Sequence, residues 1–166
     1  MSTDYIVASL PSLAFGAPAP ITWGRFEEIA GSAAAAALKP WADLETQLKN
    51  AIAEARGGER FKRPADGCSL YWKNRILACF QEKDVARREE LIDRVWWDAA
   101  DELTSPSSPL GAGALATYAV RLKIVLKREK IAPEAGNAAF DRLTAGTKVE
   151  FGKAEDAQRE DARRET

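Results

Sequence analysis

Apolar residues along the chain recur mostly at spacings of three and four, the period of a helix that buries one side. Three stretches carry the pattern at length. From Pro40 to about Arg56, Trp41, Leu44, Leu48, Ile52 and Ala55 form one stripe, with proline at the first helical position and Gly57-Gly58 as the stop. From Asp84 to about Leu103 the stripe is Ile92, Val95, Trp96, Ala99 and Leu103, and Arg87, Arg88, Glu89, Glu90 and Asp93 make the opposite, charged side. Trp97 lies off that stripe and must meet a second neighbour or stay exposed. After the break Ser105-Pro106-Ser107-Ser108-Pro109, Ser108 as cap and Pro109 in the first turn predict a helix to about Ile131. Leu115, Tyr118, Ala119, Leu122 and Leu126 line one face of this helix and Val120 and Ile124 a second, which makes it central. Lys127, Arg128 and Lys130 suit its negative end.

Shorter elements fill the rest. Thr22 caps a helix over Trp23 to Ala30 that Gly31 stops, with Phe26, Ile29 and Ala30 inward. The alanine run Ser32 to Leu38 favours helix by propensity but is short and has little to anchor it. Glu59 to Gly67 reads as a polar loop whose Arg60, Lys62 and Arg63 are either solvated charges or phosphate ligands. Ser69 caps a helix to about Glu82, with Trp72, Ile76 and Phe80 one turn apart. At the start, the apolar run Tyr5 to Leu10 ends at Pro11, and Pro18 and Pro20 follow, so an extended arm packed on the body is expected. Pro133 opens a last helix through Phe140 and Leu143 to Gly146. After Phe151 the chain is mixed charge without a large apolar residue, a tail expected to be mobile. The expected fold is therefore all-α, an irregular bundle of about five to six helices with an extended N-terminal arm. Residues 1–146 form the single domain and 147–166 the charged tail.

Length and charge narrow the function classes. A chain of 166 residues can bury roughly 70% of its unfolded surface in one core without a staple. Its net charge of -1 provides no field to draw nucleic acid or an anionic membrane. Cys68 and Cys79, eleven residues apart, are separated by about three helical turns and read as buried free thiols of a reducing compartment. The start lacks the basic and apolar regions of a secretory signal, and no apolar run is long enough to span a bilayer, so a cytoplasmic protein without membrane insertion is expected.

Candidate chemistry is sparse. The sequence contains no histidine and two cysteines, which removes histidine-based triads and completes no zinc site. The pairs Glu89 with Asp93 and Asp98 with Glu102 have the i, i+4 spacing of acid and base partners or magnesium ligands, yet 25 acidic residues produce such spacings by chance. No enzyme activity, cofactor or metal is expected. Gly111-Ala112-Gly113-Ala114-Leu115-Ala116 spells the dinucleotide fingerprint, the basis of an alternative reading as a nucleotide-binding protein or enzyme. That mechanism needs a strand before the glycines, and Thr104 to Pro109 is none. Small residues early in a central helix instead admit a close backbone neighbour. Among the aromatics, Trp97, Trp23 and Trp41 sit at flanking positions and are candidates for a partner interface. An orphan helical interaction module is the plainest alternative.

One set of positions points further. Tyr5 to Leu13 with Phe15-Gly16 and Pro20-Ile21-Thr22, then Asp93-Arg94, Trp97 and Asp101-Glu102-Leu103, then Tyr118 to Leu126 and Gly136 with Phe140, resembles small bacterial proteins encoded beside V/A-type ATP synthases. That group is distantly similar to the C (d) subunit of those rotary enzymes, a three-part helical socket that joins the central stalk to the membrane ring. The resemblance covers most of residues 4–146 and is weak from Ser32 to Glu82. It implies an all-helical structural or accessory protein whose partners are synthase subunits, held at the membrane periphery only through that complex. The family tends to carry an aromatic and acidic segment between the two long helices, where this chain has Ser105-Pro106-Ser107-Ser108-Pro109. The chain is also too short to form the whole socket.

Overall fold

The computed structural model describes residues 2–131. They form seven α-helices and three single 3₁₀ turns: α1 Thr3–Ser9, α2 Trp23–Ala30, α3 Ser32–Ala37, α4 Ala42–Ala55, α5 Leu70–Cys79, α6 Val85–Ala99 and α7 Ala112–Ile131, with 3₁₀ turns at Lys39–Trp41, Glu59–Phe61 and Ala100–Leu103. The protein is an all-α irregular bundle, and a single isolated bridge between Ser105 and Ser108 is its only β pairing among the described residues. Residues 1–126 make one compact unit. The expected helix from Pro133, the boundary at residue 146 and the tail lie outside the described residues.

Local chemistry accounts for most helix starts. Ser2, Thr22, Ser69 and Asp84 are N-caps whose side chains accept from the backbone N–H of Tyr5, Arg25, Trp72 and Arg87, which satisfies donors the first turn leaves open. Gly31 adopts φ 54° between α2 and α3, a left-handed position that costs glycine little. This turn lets the alanine run continue as a separate helix, whose Ala34 and Ala37 are buried.

Three expectations are corrected. The first part of the N-terminal arm is helical rather than extended, because Ser2 caps it and Ile6 buries its side chain; residues 10–22 are free of helix and strand, as the prolines dictate. The last long helix begins at Ala112, three residues after Pro109. The serine-proline segment closes into a turn in which Ser108 N–H donates to the Ser105 carbonyl, and the Gly111 carbonyl receives the first helical bond, from Leu115. Cys68 is exposed, since α5 starts only at Leu70, whereas Cys79 is buried and burial pushes its thiol pKa up.

Two apolar clusters share α7. On one side Ile6, Phe26, Ala30, Ala34 and Ala37 meet Leu115, Ala119 and Leu122. On the other, Leu48, Trp72, Ile76, Ile92 and Val95 meet Val120, Ile124 and Val125. Leu13, Ala19 and Leu38 pack against both. Phe26, Leu48, Ile76 and Leu122 are the largest fully enclosed side chains, each contributing about 1.5–3 kcal/mol through removal of apolar surface from water. A wide apolar surface therefore makes α7 the wall between two half-cores.

The start of α7 is packed as tightly as the sequence allows. A methyl group at Gly113 would lie 1.9 Å from the carbonyl oxygen of Leu103 and 3.3 Å from the Cα of Thr104. Only glycine admits this crossing. Beside it, the buried Thr117 hydroxyl donates to the Ala100 carbonyl at 2.7 Å and lies 2.9 Å from the Thr104 hydroxyl. With its one proton given to Ala100, Thr117 accepts from Thr104.

Candidate functional site: a cation and aromatic stack between the arm and two helices

Residues 10–22 cross the pair formed by α6 and α7, and Phe15 anchors the crossing. Its ring meets Trp97 edge-on, with centroids 5.6 Å apart and planes at 79°, the geometry in which a positive ring edge faces a negative ring face. The Arg94 guanidinium lies over the Phe15 ring at 3.9 Å, and the Arg121 guanidinium lies over the Trp97 ring at 4.7 Å. Both contacts are within the range of cation–π attraction. Arg94 and Trp97 are one turn apart on α6, so the same helix face supplies a cation and an aromatic ring to the arm.

Arg121 also fixes the end of α6. Its Nε and Nη2 donate to the Trp97 carbonyl at 3.3 and 3.2 Å, and Nη2 pairs with Asp101 at 2.7 Å. The carbonyl lies in the last turn of α6, just before the 3₁₀ turn at Ala100–Leu103. The Asp101 side chain is 65% exposed and that of Arg121 22%, so the pair stands where the stack meets solvent. Next to it opens a cavity of about 320 Å³ walled by Leu13, Asp101, Thr104, Thr117, Tyr118 and Arg121. Tyr118 stacks on Phe26 at 5.9 Å and 19°. Its hydroxyl is buried without a hydrogen-bond partner among the described residues, and burial pushes its pKa up to about 12.

The three tryptophans expected at an interface separate here. Trp97 and Trp41 are 8% and 4% exposed. Trp97 is enclosed by Phe15 and Arg121, and Trp41 packs against Trp96 with centroids 5.9 Å apart. Both rings are enclosed among the described residues, because the arm and helix α6 supply neighbours that each tryptophan's own helical periodicity does not contain. Trp23 is half-buried, donates from Nε1 to Glu27 at 2.7 Å and carries Lys123 over its ring at 4.8 Å. On α6 Trp97 meets the second neighbour that its off-stripe position calls for, and Trp96, expected on the buried stripe, is half-buried against the core. Asp93, expected on the charged side, is buried as well.

Arg94, Phe15 and Arg121 were not singled out as site residues by sequence reasoning. An arginine one turn before an off-stripe tryptophan is the available signal, because it marks a second face with work to do. The carboxylate pairs remain apart in role: Asp98 takes the Arg75 guanidinium at 2.7 Å, Glu102 accepts from Trp72 Nε1, and Glu89 pairs with Arg56. Among the described residues no group of three or more potential ligands is placed to hold a metal ion, and no helix is long and apolar enough to cross a membrane. The Gly111 to Ala116 segment follows a turn rather than a strand, and its glycines face the Ser108 side chain and the Leu103 carbonyl. That leaves no open backbone cradle for a pyrophosphate. Neither a family model, a characterised protein nor a solved structure matches the chain.

Proposed function

We propose that this protein is a non-enzymatic helical component or accessory of a V/A-type ATP synthase, similar in kind to part of the C subunit, and that it acts through protein contacts made where the arm crosses α6 and α7. One observation carries the reading. Positions that carry the family resemblance are far apart in sequence, yet Phe15, Arg94, Trp97, Asp101, Tyr118 and Arg121 meet in one stack and its adjoining cavity. A stack of rings locked by guanidinium groups is stiff, and stiffness suits a part that holds or transmits force between subunits. Arg94 and Asp101 are the exposed members through which a partner would be felt.

Affinity purification of the tagged full chain from its native host tests the proposal. Synthase subunits are expected to co-purify, and Arg94→Glu is expected to release them while helicity is kept and the thermal midpoint falls only by the few degrees that loss of one cation–π contact costs. Recovery of an intact synthase from the same cells with none of it bound to the tagged chain would sink the idea. Calorimetry with ATP, ADP and NAD separates this reading from nucleotide binding, for which a saturable heat is required.

A further inference from the structure

The segment between α4 and α5 is exposed, yet it is fastened along its length to one face of α4. The Asp43 carboxylate accepts from Asp66 N–H at 2.6 Å, and Gln47 Oε1 accepts from Ser69 N–H at 2.8 Å. Asn50 closes a two-way clasp on Arg63, accepting from its N–H at 2.8 Å and donating to its carbonyl at 2.7 Å. The Glu54 carboxylate takes Lys62 at 2.7 Å and Lys73 at 2.8 Å. These four α4 residues follow spacings of four, three and four, a single helix face. Between the loop and the helices lies a cavity of about 170 Å³ whose wall includes Gln47, Asn50, Glu54, Lys62 and Trp72.

What this clasp holds out to solvent is unusual. Seven large apolar side chains are exposed among the described residues, and three fall in this segment and the turn that follows it: Phe61 at 65%, Leu70 at 68% and Tyr71 at 62%. Arg60 stacks over Phe61 at 4.8 Å, and Arg75 lies 5.9 Å from the Tyr71 ring centroid. Lys62 pairs with both Glu54 and Glu59, and Lys73 pairs with Glu54, whereas Arg60 and Arg63 form no ion pair among the described residues. A loop ordered in advance forfeits less entropy when it binds. Exposed aromatics beside unpaired guanidinium groups are the composition of interface anchors.

We infer that the loop of residues 59–69, with Leu70 and Tyr71, is a preorganised docking surface for an acidic segment of a partner protein that carries an apolar side chain. Phe61 receives the apolar residue, and Arg60 and Arg63 pair with the flanking carboxylates. Charge complementarity selects this occupant: residues 59–69 carry three cations against two carboxylates, and Glu59 is engaged by Lys62, which leaves the two guanidinium groups as the excess. A protein rather than a nucleic acid fits because two unpaired arginines on a chain of net charge -1 make no basic stripe along which a phosphate backbone could run. The surface is independent of the synthase reading, since it lies in the region where the resemblance is weak.

Selection of random short peptides displayed on phage against the purified full chain tests it. The winning peptides, made synthetically, are then titrated against variants. Enrichment of aspartate and glutamate around an aromatic or leucine residue is expected, with affinity falling at least about tenfold in Arg60→Glu/Arg63→Glu and in Phe61→Ala. Asn50→Ala, which frees the clasp, is expected to weaken binding by about three- to tenfold with helicity intact. Failure to select any peptide, winners without acidic enrichment, affinities unmoved by these variants, or tighter binding of an oligouridine RNA than of the winning peptides would each overturn the inference. Because the selection uses the isolated chain, it can fail while the synthase association stands, and the reverse.

Discussion

Trp97 shows how a residue acquires its role from a segment more than 80 positions away. Its ring is enclosed by Phe15 and Arg121 and is 8% exposed, so Trp97→Ala is expected to destabilise the fold by about 3–5 kcal/mol in denaturant titration, as removal of a large buried aromatic does. Gly113 offers a sharper test of packing. A methyl group there would meet the Leu103 carbonyl at 1.9 Å, whereas Gly24 has nothing within 4 Å. Gly113→Ala should therefore cost about 1–3 kcal/mol or more, while Gly24→Ala in α2 should stabilise by about 0.4–1 kcal/mol. Two thermal melts decide both. Tyr118→Phe removes a buried hydroxyl without a partner and should stabilise by about 1 kcal/mol at neutral pH. The tyrosine pKa is raised from 10.0 to about 12 by burial, so the stability tied to its proton is full below pH 10 and is lost as pH rises through about 12. The phenylalanine variant should lack that part of the alkaline loss. At this scale the sequence announced the glycine packing, because small residues in a central helix have few other uses. It did not announce which tryptophan of the pair is buried, because that depends on where the arm crosses.

Among the elements, the polar face of α4 governs the loop that follows it. Paired hydrogen bonds from Lys62 and Lys73 hold the Glu54 carboxyl below its ordinary value of 4.5. A lowered folded value means that its contribution is present above pH 4.5 and is lost as pH falls through the folded value. Protection of the Arg63 and Ser69 amides, taken relative to the exchange rate of an unstructured chain at each pH, should accordingly fall on acidification below that point. Glu54→Gln should remove this acid response and leave the loop already loosened at neutral pH. Exchange that is equally slow in both proteins across the range would contradict the role given to Glu54. Helix positions were legible where a cap or stop residue marks them, as at Thr22, Gly31, Ser69 and Asp84. The start of α7 was not, since Ser108-Pro109 has the signature of a helix start and here belongs to the turn before it. The clasp was hidden for a different reason: Asp43, Gln47, Asn50 and Glu54 look like an ordinary solvated face, and their partners are backbone groups, which carry no letter in a sequence.

For the molecule as a whole, an all-helical bundle with α7 at its centre followed from periodicity alone, because a helix apolar on more than one face must be surrounded. The division into two half-cores did not follow, since it depends on which face meets which neighbour. Native-state hydrogen exchange should find the slowest amides between Leu115 and Val125, where opening would expose both clusters at once. Being the common wall has a further consequence, for how the chain can change in length. One residue inserted between Leu115 and Leu122 turns everything after it by about 100°, so that Lys123 would take the place of Ile124 in one half-core while Leu122 left the other. The turn at residues 105–109 answers to no such register, because its serines and prolines are exposed. Descendants of this sequence are therefore free to lengthen or shorten at that turn, while the helix after it must keep its count.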